Sequence, residues 1–490
     1  CVRGNPRRRP VGRRLMEAMS LPLADVVPEM VLVVGTVGTL LWALFAPRRL
    51  QSATALVALA VLAATAVAAG LSVANPPGAT FFGTYAADST AHWAKIIIIV
   101  GTAMTIGLSV EWFRTDQRHG ELYTLLLFAA LGSMLMAGAT DLMELIIGVL
   151  MSSASAFALA GFHRRSAAAG EAALKFFLVG GLATSCLIYG SALLFGLAGT
   201  TVYGGFAAEL RGADASALAV AVALVAIGLA YKLGAIPVHT WVPDVAQGSP
   251  VPTAGFLTAV PKVGSLIALA RLAAALGSSP VGWRPLVAVL AAVTMTLGNL
   301  AAFWQHDVRR LLGWSAVSMT GYGLMGVVAV GRSDLAVPSI LYFLLAYVVA
   351  NLTAFAVVTE LRGRADITSY AGLARSRPML AIALVVAFLS FVGIPPLAGF
   401  VAKVQLFLAT IDAGYTWLAV LAVVNTVASL FYYLRVLGPS YFEAPPPVPL
   451  PVLGRYAGWV TVGGTAALVT LGLAAQPLLD AFGRGSLLPR

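Results

Sequence analysis

Charge is scarce in this chain. Of its 490 residues only 10% are Asp, Glu, Lys or Arg, whereas 59% are hydrophobic and the mean hydropathy is +0.90. That balance excludes a soluble globular domain. Cysteine is almost missing: Cys1 and Cys186 are the only two, too few for a disulfide framework or a cysteine metal site. The five histidines, His92, His119, His163, His239 and His306, contain no pair spaced for haem ligation in a helix bundle. Long polar stretches are absent too, since connections between apolar runs reach only about 15 to 20 residues. No room is left for a domain holding a nucleotide, a flavin or an iron–sulfur cluster. No redox centre, metal or cofactor is expected in this chain.

What is present is membrane-spanning sequence. A helix needs ~20 apolar residues to cross the hydrocarbon core, and that ruler finds about fourteen spans between residues 26 and 475. The expected fold class is an all-α polytopic membrane protein. Residues 1–20 read as a basic N-terminal extension, 21–475 as one transmembrane domain and 476–490 as a C-terminal tail. The first fourteen residues carry six arginines and begin with Cys1, which is expected of an extended start with Met16 or Met19 as the true initiator.

The formal charge of +11 does not point to nucleic acid, because the arginines sort by side of the membrane. Connections after odd-numbered spans hold thirteen of them, among them Arg48, Arg49, Arg118, Arg164 and Arg165; connections after even-numbered spans hold little beyond Arg211, Arg284 and Arg332. By the positive-inside rule the first set faces the cytoplasm and both termini lie outside, as for a multi-pass protein of a bacterial cell membrane.

Lysine is rarer than arginine: of 31 basic residues only Lys95, Lys175, Lys232, Lys262 and Lys403 are lysine, and each lies in an apolar span. Arginine cannot deprotonate in a protein, whereas a buried lysine can titrate. The alternative is that a guanidinium does not fit in the bundle, and that suffices for Lys95 and Lys175. Lys95, three residues into a span starting at 92, is expected to snorkel to the headgroups, and Lys175 to snorkel or pair with Glu171. Glu29 and Glu111 read as solvated interfacial residues. Lys262 differs, being eleven residues into its span, ~16 Å deep at 1.5 Å per residue.

The seventh span, 217–245, and the twelfth, 378–412, are too long for one crossing. Each has a glycine–proline break near its middle, LGAIPVHTW at 233–241 and VGIPPLAGF at 392–400, with Lys232 or Lys403 close by. Paired interrupted helices point to an internal repeat with an ion or proton path at the breaks. Repeats over 121–276 and 284–437 fit this spacing. Two ammoniums ~8 Å apart repel by ~2 kcal/mol at an effective dielectric of 20, close to the ~2.3 kcal/mol needed to move a proton against 100 mV. A row of coupled lysines at water-admitting breaks therefore passes protons when pushed at one end. Asp141 and Glu144, in the first turn of the fifth span, are either interfacial or receive a proton from one side; His239, in the first break, is a further candidate.

The stretch YKLGAIPVHTWVPDVAQGSPVPTAGFLTAVPK at 231–262 resembles the antiporter-like membrane subunits of NADH-quinone oxidoreductase, respiratory complex I. Within them it is nearest the subunit N branch, whose pattern has a proline just before the second lysine, as in Pro261–Lys262. LLLFAALGSMLMAGATDL at 125–142, EAALKFFLVGG at 171–181, HDVRRLLGWS at 306–315 and GIPPLAGFVAK at 393–403 match as well. The resemblance implies 14 helices, two inverted five-helix repeats with broken seventh and twelfth helices, and one proton channel coupled to quinone reduction elsewhere. It makes Lys232 the lysine of the broken seventh helix, Lys262 the central one and Lys403 the one leading outward. It also implies NAD, flavin, iron–sulfur clusters and quinone in partner subunits. A multi-subunit cation/proton antiporter and a pump-inactive structural subunit are the competing readings. Two positions depart from the family pattern. Leu150 stands where the fifth helix has a glutamate, so either Glu144 substitutes from a shifted position or the lysine chain has lost its acidic partner, and Met319 stands where the tenth helix usually has a polar residue.

Overall fold

The computed structural model describes residues 23–47, 50–73, 78–116, 119–277, 279–445 and 454–488. The basic extension with Cys1, Met16 and Met19 lies outside them, as do Arg48, Arg49 and Arg118. Runs of Ala, Leu, Val, Ile and Phe without polar interruption form helices because only a helix satisfies every backbone group within the segment. Among the described residues thirteen helices are long and apolar enough to cross a membrane, and Pro378–Val392 is a shorter apolar helix. In chain order they are α1 (Val27–Phe45), α2 (Ala53–Ser72), α3 (Ser89–Trp112), α4 (Gly120–Gly138), α5 (Leu142–Ala160), α6 (Ala167–Ala198) and α7 (Ala215–Leu233). After the eight-residue α8 (Trp241–Gly248) come α9 (Val251–Ala275), α10 (Trp283–Phe303), α11 (Val308–Val328) and α12 (Ala336–Glu360). The last are α13 (Pro378–Val392), α14 (Ala398–Asp412), α15 (Thr416–Phe442) and α16 (Arg455–Leu473). A hairpin of β1 (Gly78–Thr80) and β2 (Tyr85–Ala87), paired antiparallel with Thr80 opposite Tyr85, joins α2 to α3.

Both expected breaks are present. The seventh region runs as α7, a non-helical stretch at 234–240, and α8; the twelfth runs as α13, a stretch at 393–397, and α14. Gly234 (φ +72°) and Gly393 (φ +88°) end α7 and α13 in the left-handed conformation that glycine adopts without strain.

The core lies along α9, which is buried on all sides, with α11 and α12 nearly so. The helices α1, α2, α6, α15 and α16 instead expose apolar faces, the outer ring expected of a bundle in lipid. Close approach at glycine sets two of the tightest pairs. A Cβ on Gly132 or Gly148 would strike the facing backbone of α5 or α4, and one on Gly298 or Gly321 would strike that of α11 or α10.

Two sequence expectations are corrected here. Lys95 does not snorkel and Glu29 is not solvated: Lys95 is 0% exposed and its Nζ lies 2.7 Å from Glu29 Oε1. The reason is the hairpin. It starts α3 at Ser89, deeper before Lys95 than the sequence pattern implied, and Tyr85 of β2 covers the pair, donating its hydroxyl to Glu29 at 2.6 Å. Glu111 does lie at a helix end, where its carboxylate accepts from the backbone N–H groups of Tyr456 and Ala457 and caps α16.

Candidate functional site

Three amines lie deep in the bundle. Lys232, the next-to-last residue of α7, is 2% exposed and donates to Ser153 Oγ on α5 at 3.0 Å. Lys262, on α9 directly after the mid-helix Pro261, donates to the carbonyl of Ala316 at 2.5 Å and to Thr320 Oγ1 at 2.8 Å, both on α11. Lys403, in the second turn of α14, donates to the carbonyl of Val392 and to Thr426 Oγ1, each at 3.1 Å. Among the described residues none of the three has a carboxylate partner within ion-pair distance.

The breaks explain the placement. A helix end leaves carbonyls without partners and concentrates partial negative charge, which stabilises a cation there. Val392 is the last residue of α13, so Lys403 sits on such an end directly. Lys262 reaches the matching end of α7 through one hydroxyl, because Thr320 Oγ1 also donates to the carbonyl of Leu233 at 2.7 Å. Leu233 follows Lys232, so α7's end, Thr320 and Lys262 form one connected polar group. Each deeper amine also lies against an aromatic face: Lys262 is 5.5 Å from the Tyr347 ring centre and Lys403 is 4.1 Å from that of Tyr322. Tyr347 and Asn351 of α12 donate to the carbonyls of Thr258 and Gly255, in the stretch of α9 that the proline disturbs.

Two small cavities, each with room for about one water, adjoin these amines. One is lined by Leu233, Lys262 and Thr320, the other by Lys403, Ser390 and Gly399, and Met319, Phe343 and Tyr347 border both. Met319 is therefore part of the apolar partition between the second lysine and the third. The departure seen in the sequence falls where a polar side chain would join the two spaces.

The other candidates lie apart from the row. Glu144 is in the first turn of α5, whose N-cap Asp141 accepts from its backbone N–H; Ser153, the contact of Lys232, is nine residues further along that helix, ~13 Å. Glu144 makes no contact with Lys232, so the displaced-partner expectation is not met in this geometry. Leu150 is 47% exposed on the flank of the bundle. His239 packs its ring against Trp314, 5.3 Å between centres, in the α7–α8 break, with no hydrogen bond to any lysine. Lys175 is half exposed and pairs with Glu171 at 2.6 Å and with Asp244 of α8 at 2.9 Å, in keeping with the paired reading.

Sequence reasoning missed the hydroxyl partners Ser153, Thr320 and Thr426, and it missed Arg271. That arginine, on α9, is 0% exposed, bound to Asp88 through two nitrogens at 2.7 and 2.8 Å and to the carbonyl of Ala137 at 2.8 Å. A guanidinium does fit inside this bundle, then, and it takes a fixed ion pair. Among the described residues the three lysines are held differently, by neutral oxygens and, for Lys262 and Lys403, an aromatic face.

The helix count, the two interrupted helices and the buried amines at the interruptions define a polytopic antiporter-like membrane subunit. Residues 139–429 match the family described as NADH:quinone oxidoreductase/Mrp antiporter, transmembrane. The chain belongs to the subunit N family of NADH-quinone oxidoreductase. It is 46% identical over 367 residues to NADH-quinone oxidoreductase subunit N of Mycobacterium sp. strain JLS, covering 75% of this chain and 78% of that one. It is 42% identical over 472 residues to subunit N 1 of Streptomyces griseus, covering 94% and 98%. Its fold is similar to that of a chain of respiratory complex I from Thermus thermophilus with bound aureothin, with a TM-score of 0.81, 31% identity, and 94% of this chain and 100% of that one covered.

Proposed function

We propose that this chain carries protons across the membrane as part of an NADH-quinone oxidoreductase, through Lys232, Lys262 and Lys403 in turn. One observation carries the reading: three buried amines, each on neutral oxygens, two of them at the ends of interrupted helices. An ammonium at mid-bilayer depth costs at least ~3 kcal/mol on insertion scales, and a partner carboxylate would offset that cost while locking the charge. Hydroxyls and helix-end carbonyls stabilise the ammonium less and also tolerate the neutral amine, so each site can lose its proton. Charge arriving at one lysine raises the cost of charge at the next and moves the proton on.

In this reading NAD, flavin, iron–sulfur clusters and quinone belong to partner subunits, and the chain contributes no redox centre. It sits in a bacterial inner membrane with other membrane subunits of the complex, both termini on the outer side.

The test is the proton-to-electron ratio of the complex in proteoliposomes with Lys232→Met, Lys262→Met or Lys403→Met. A lowered ratio with the complex assembled and still oxidising NADH supports the reading. An unchanged ratio in all three supports the second reading, a pump-inactive membrane subunit, which the apolar partition at Met319 favours. Sodium-dependent proton exchange by the isolated membrane part would point instead to cation/proton antiport.

A further inference from the structure

The lysine row leaves a second set of buried titratable groups without a role. Glu29 of α1 and Lys95 of α3 form an ion pair at 2.7 Å, and Tyr85 of β2 donates to the same carboxylate oxygen at 2.6 Å. The other oxygen, Glu29 Oε2, is buried with no hydrogen-bond partner among the described residues. One hydrogen bond and one ion-pair contact on the same oxygen, with none on the other, is an unusual way to hold a structural carboxylate, because an unpaired buried acceptor costs ~1–3 kcal/mol. A water donating to Oε2 removes that cost. The other charged or titratable groups within electrostatic reach are His92 on α3, Asp88 beside the hairpin, Glu144 on α5 and Arg271 on α9.

Three serines and a tyrosine lie between Lys232 and this carboxylate, without direct hydrogen bonds joining all of them. Lys232 donates to Ser153 at 3.0 Å. Its neighbour Ser152 lies 3.5 Å, oxygen to oxygen, from Ser133 of α4. The next residue, Met134, has its carbonyl 3.4 Å from the Tyr85 hydroxyl that binds Glu29. The backbone of Ser133 lies against Gly264, two residues beyond Lys262, so this row runs at the depth of the lysines. At its far end Glu29 lies in the first turn of α1.

We propose that Glu29 is a proton-exchanging carboxylate that serves Lys232, reached through Ser153, Ser152, Ser133 and intervening waters, and opening on the face where α1 begins. The ammonium of Lys232 gives up one proton, leaving a neutral amine, and the carboxylate of Glu29 takes one up, becoming a carboxylic acid. No other bond changes, and Lys95 keeps its charge. Glu29 thus supplies the acid that neither Leu150 nor Glu144 brings to the lysine row. The proposal rests on the reading of Lys232 as a proton carrier.

The experiment compares four complexes in proteoliposomes: the parent, Lys232→Met, the double variant Glu29→Gln/Lys95→Met, and the double variant Ser133→Ala/Ser152→Ala. Glu29→Gln alone would fix the site permanently in the state with a neutral side chain beside a charged Lys95, whereas the double variant removes both charges together. The serine variant leaves the ion pair intact and cuts only the hydroxyl row. The expected result is a proton-to-electron ratio in both double variants lowered to that of Lys232→Met, with assembly and NADH oxidation retained. Either double variant at the parent ratio, while Lys232→Met is lowered, overturns the proposal and leaves the lysine row standing. A parent ratio in Lys232→Met overturns both. Should the charge-pair variant not assemble, the serine variant decides alone.

Discussion

Thr320 joins Lys262 to the end of the helix that carries Lys232. Its hydroxyl accepts from Lys262 Nζ at 2.8 Å and donates to the carbonyl of Leu233 at 2.7 Å. Two lysines thirty residues apart in the chain are brought into one hydrogen-bonded group by a side chain from a third helix.

Thr320→Val keeps the shape and removes that link. A hydrogen bond to a charged group contributes ~1.5–3 kcal/mol, so the protonated state of Lys262 should become roughly 10- to 100-fold less populated. Slower proton release per NADH oxidised is expected, with the complex assembled and with Thr320→Ser close to the parent. Parent kinetics in Thr320→Val would remove this hydroxyl from the path.

Lys262→Arg keeps the charge and removes its release, since arginine does not deprotonate in a protein. The buried Arg271 shows that the bundle accommodates a guanidinium, so assembly is expected. The proton-to-electron ratio should fall as far as in Lys262→Met. Full pumping by the arginine variant would show that position 262 needs only a positive charge.

Met319→Gln places a donor and an acceptor in the partition that the two cavities share. Water is retained where it finds two to four polar partners, so the two spaces should hydrate together. The expected outcome is a raised passive proton leak through the complex, measured as faster collapse of a pH gradient in proteoliposomes. A leak equal to that of the parent would place the barrier elsewhere.

Arg271→Met strands the buried carboxylate of Asp88. Breaking a buried ion pair by removing one partner costs ~3–5 kcal/mol, whereas removing both partners is often near neutral. A lower melting temperature of the purified complex is expected, with part of it regained in Arg271→Met/Asp88→Asn. If the double variant melts no higher than the single one, the loss comes from packing and not from the uncompensated charge.

How much of this was legible beforehand follows from what each feature depends on. The helices and the two interruptions are local: apolar runs of sufficient length and glycine–proline pairs state them within a few residues. The burial of Lys232, Lys262 and Lys403 was legible because lysine is rare here and these sit far from span ends. The hydroxyl partners were not. Many serines and threonines in these helices bond the carbonyl four residues back, as Thr102, Thr105 and Ser109 all do. Composition cannot tell them from Ser153, Thr320 and Thr426, which face an amine.

The amino-acid sequence alone determined that the chain spans a membrane, where two of its helices break, and that Lys232, Lys262 and Lys403 lie deep, because hydropathy, backbone propensity and span length are properties of neighbouring residues. Only the tertiary structure decided what each charge meets: Glu29 against Lys95, Asp88 against Arg271, and three amines on hydroxyls and carbonyls with no acid beside them. Those pairings depend on how far each helix is rotated and shifted against its neighbours. Close packing among the helices, at glycines such as Gly132 and Gly264, sets that rotation.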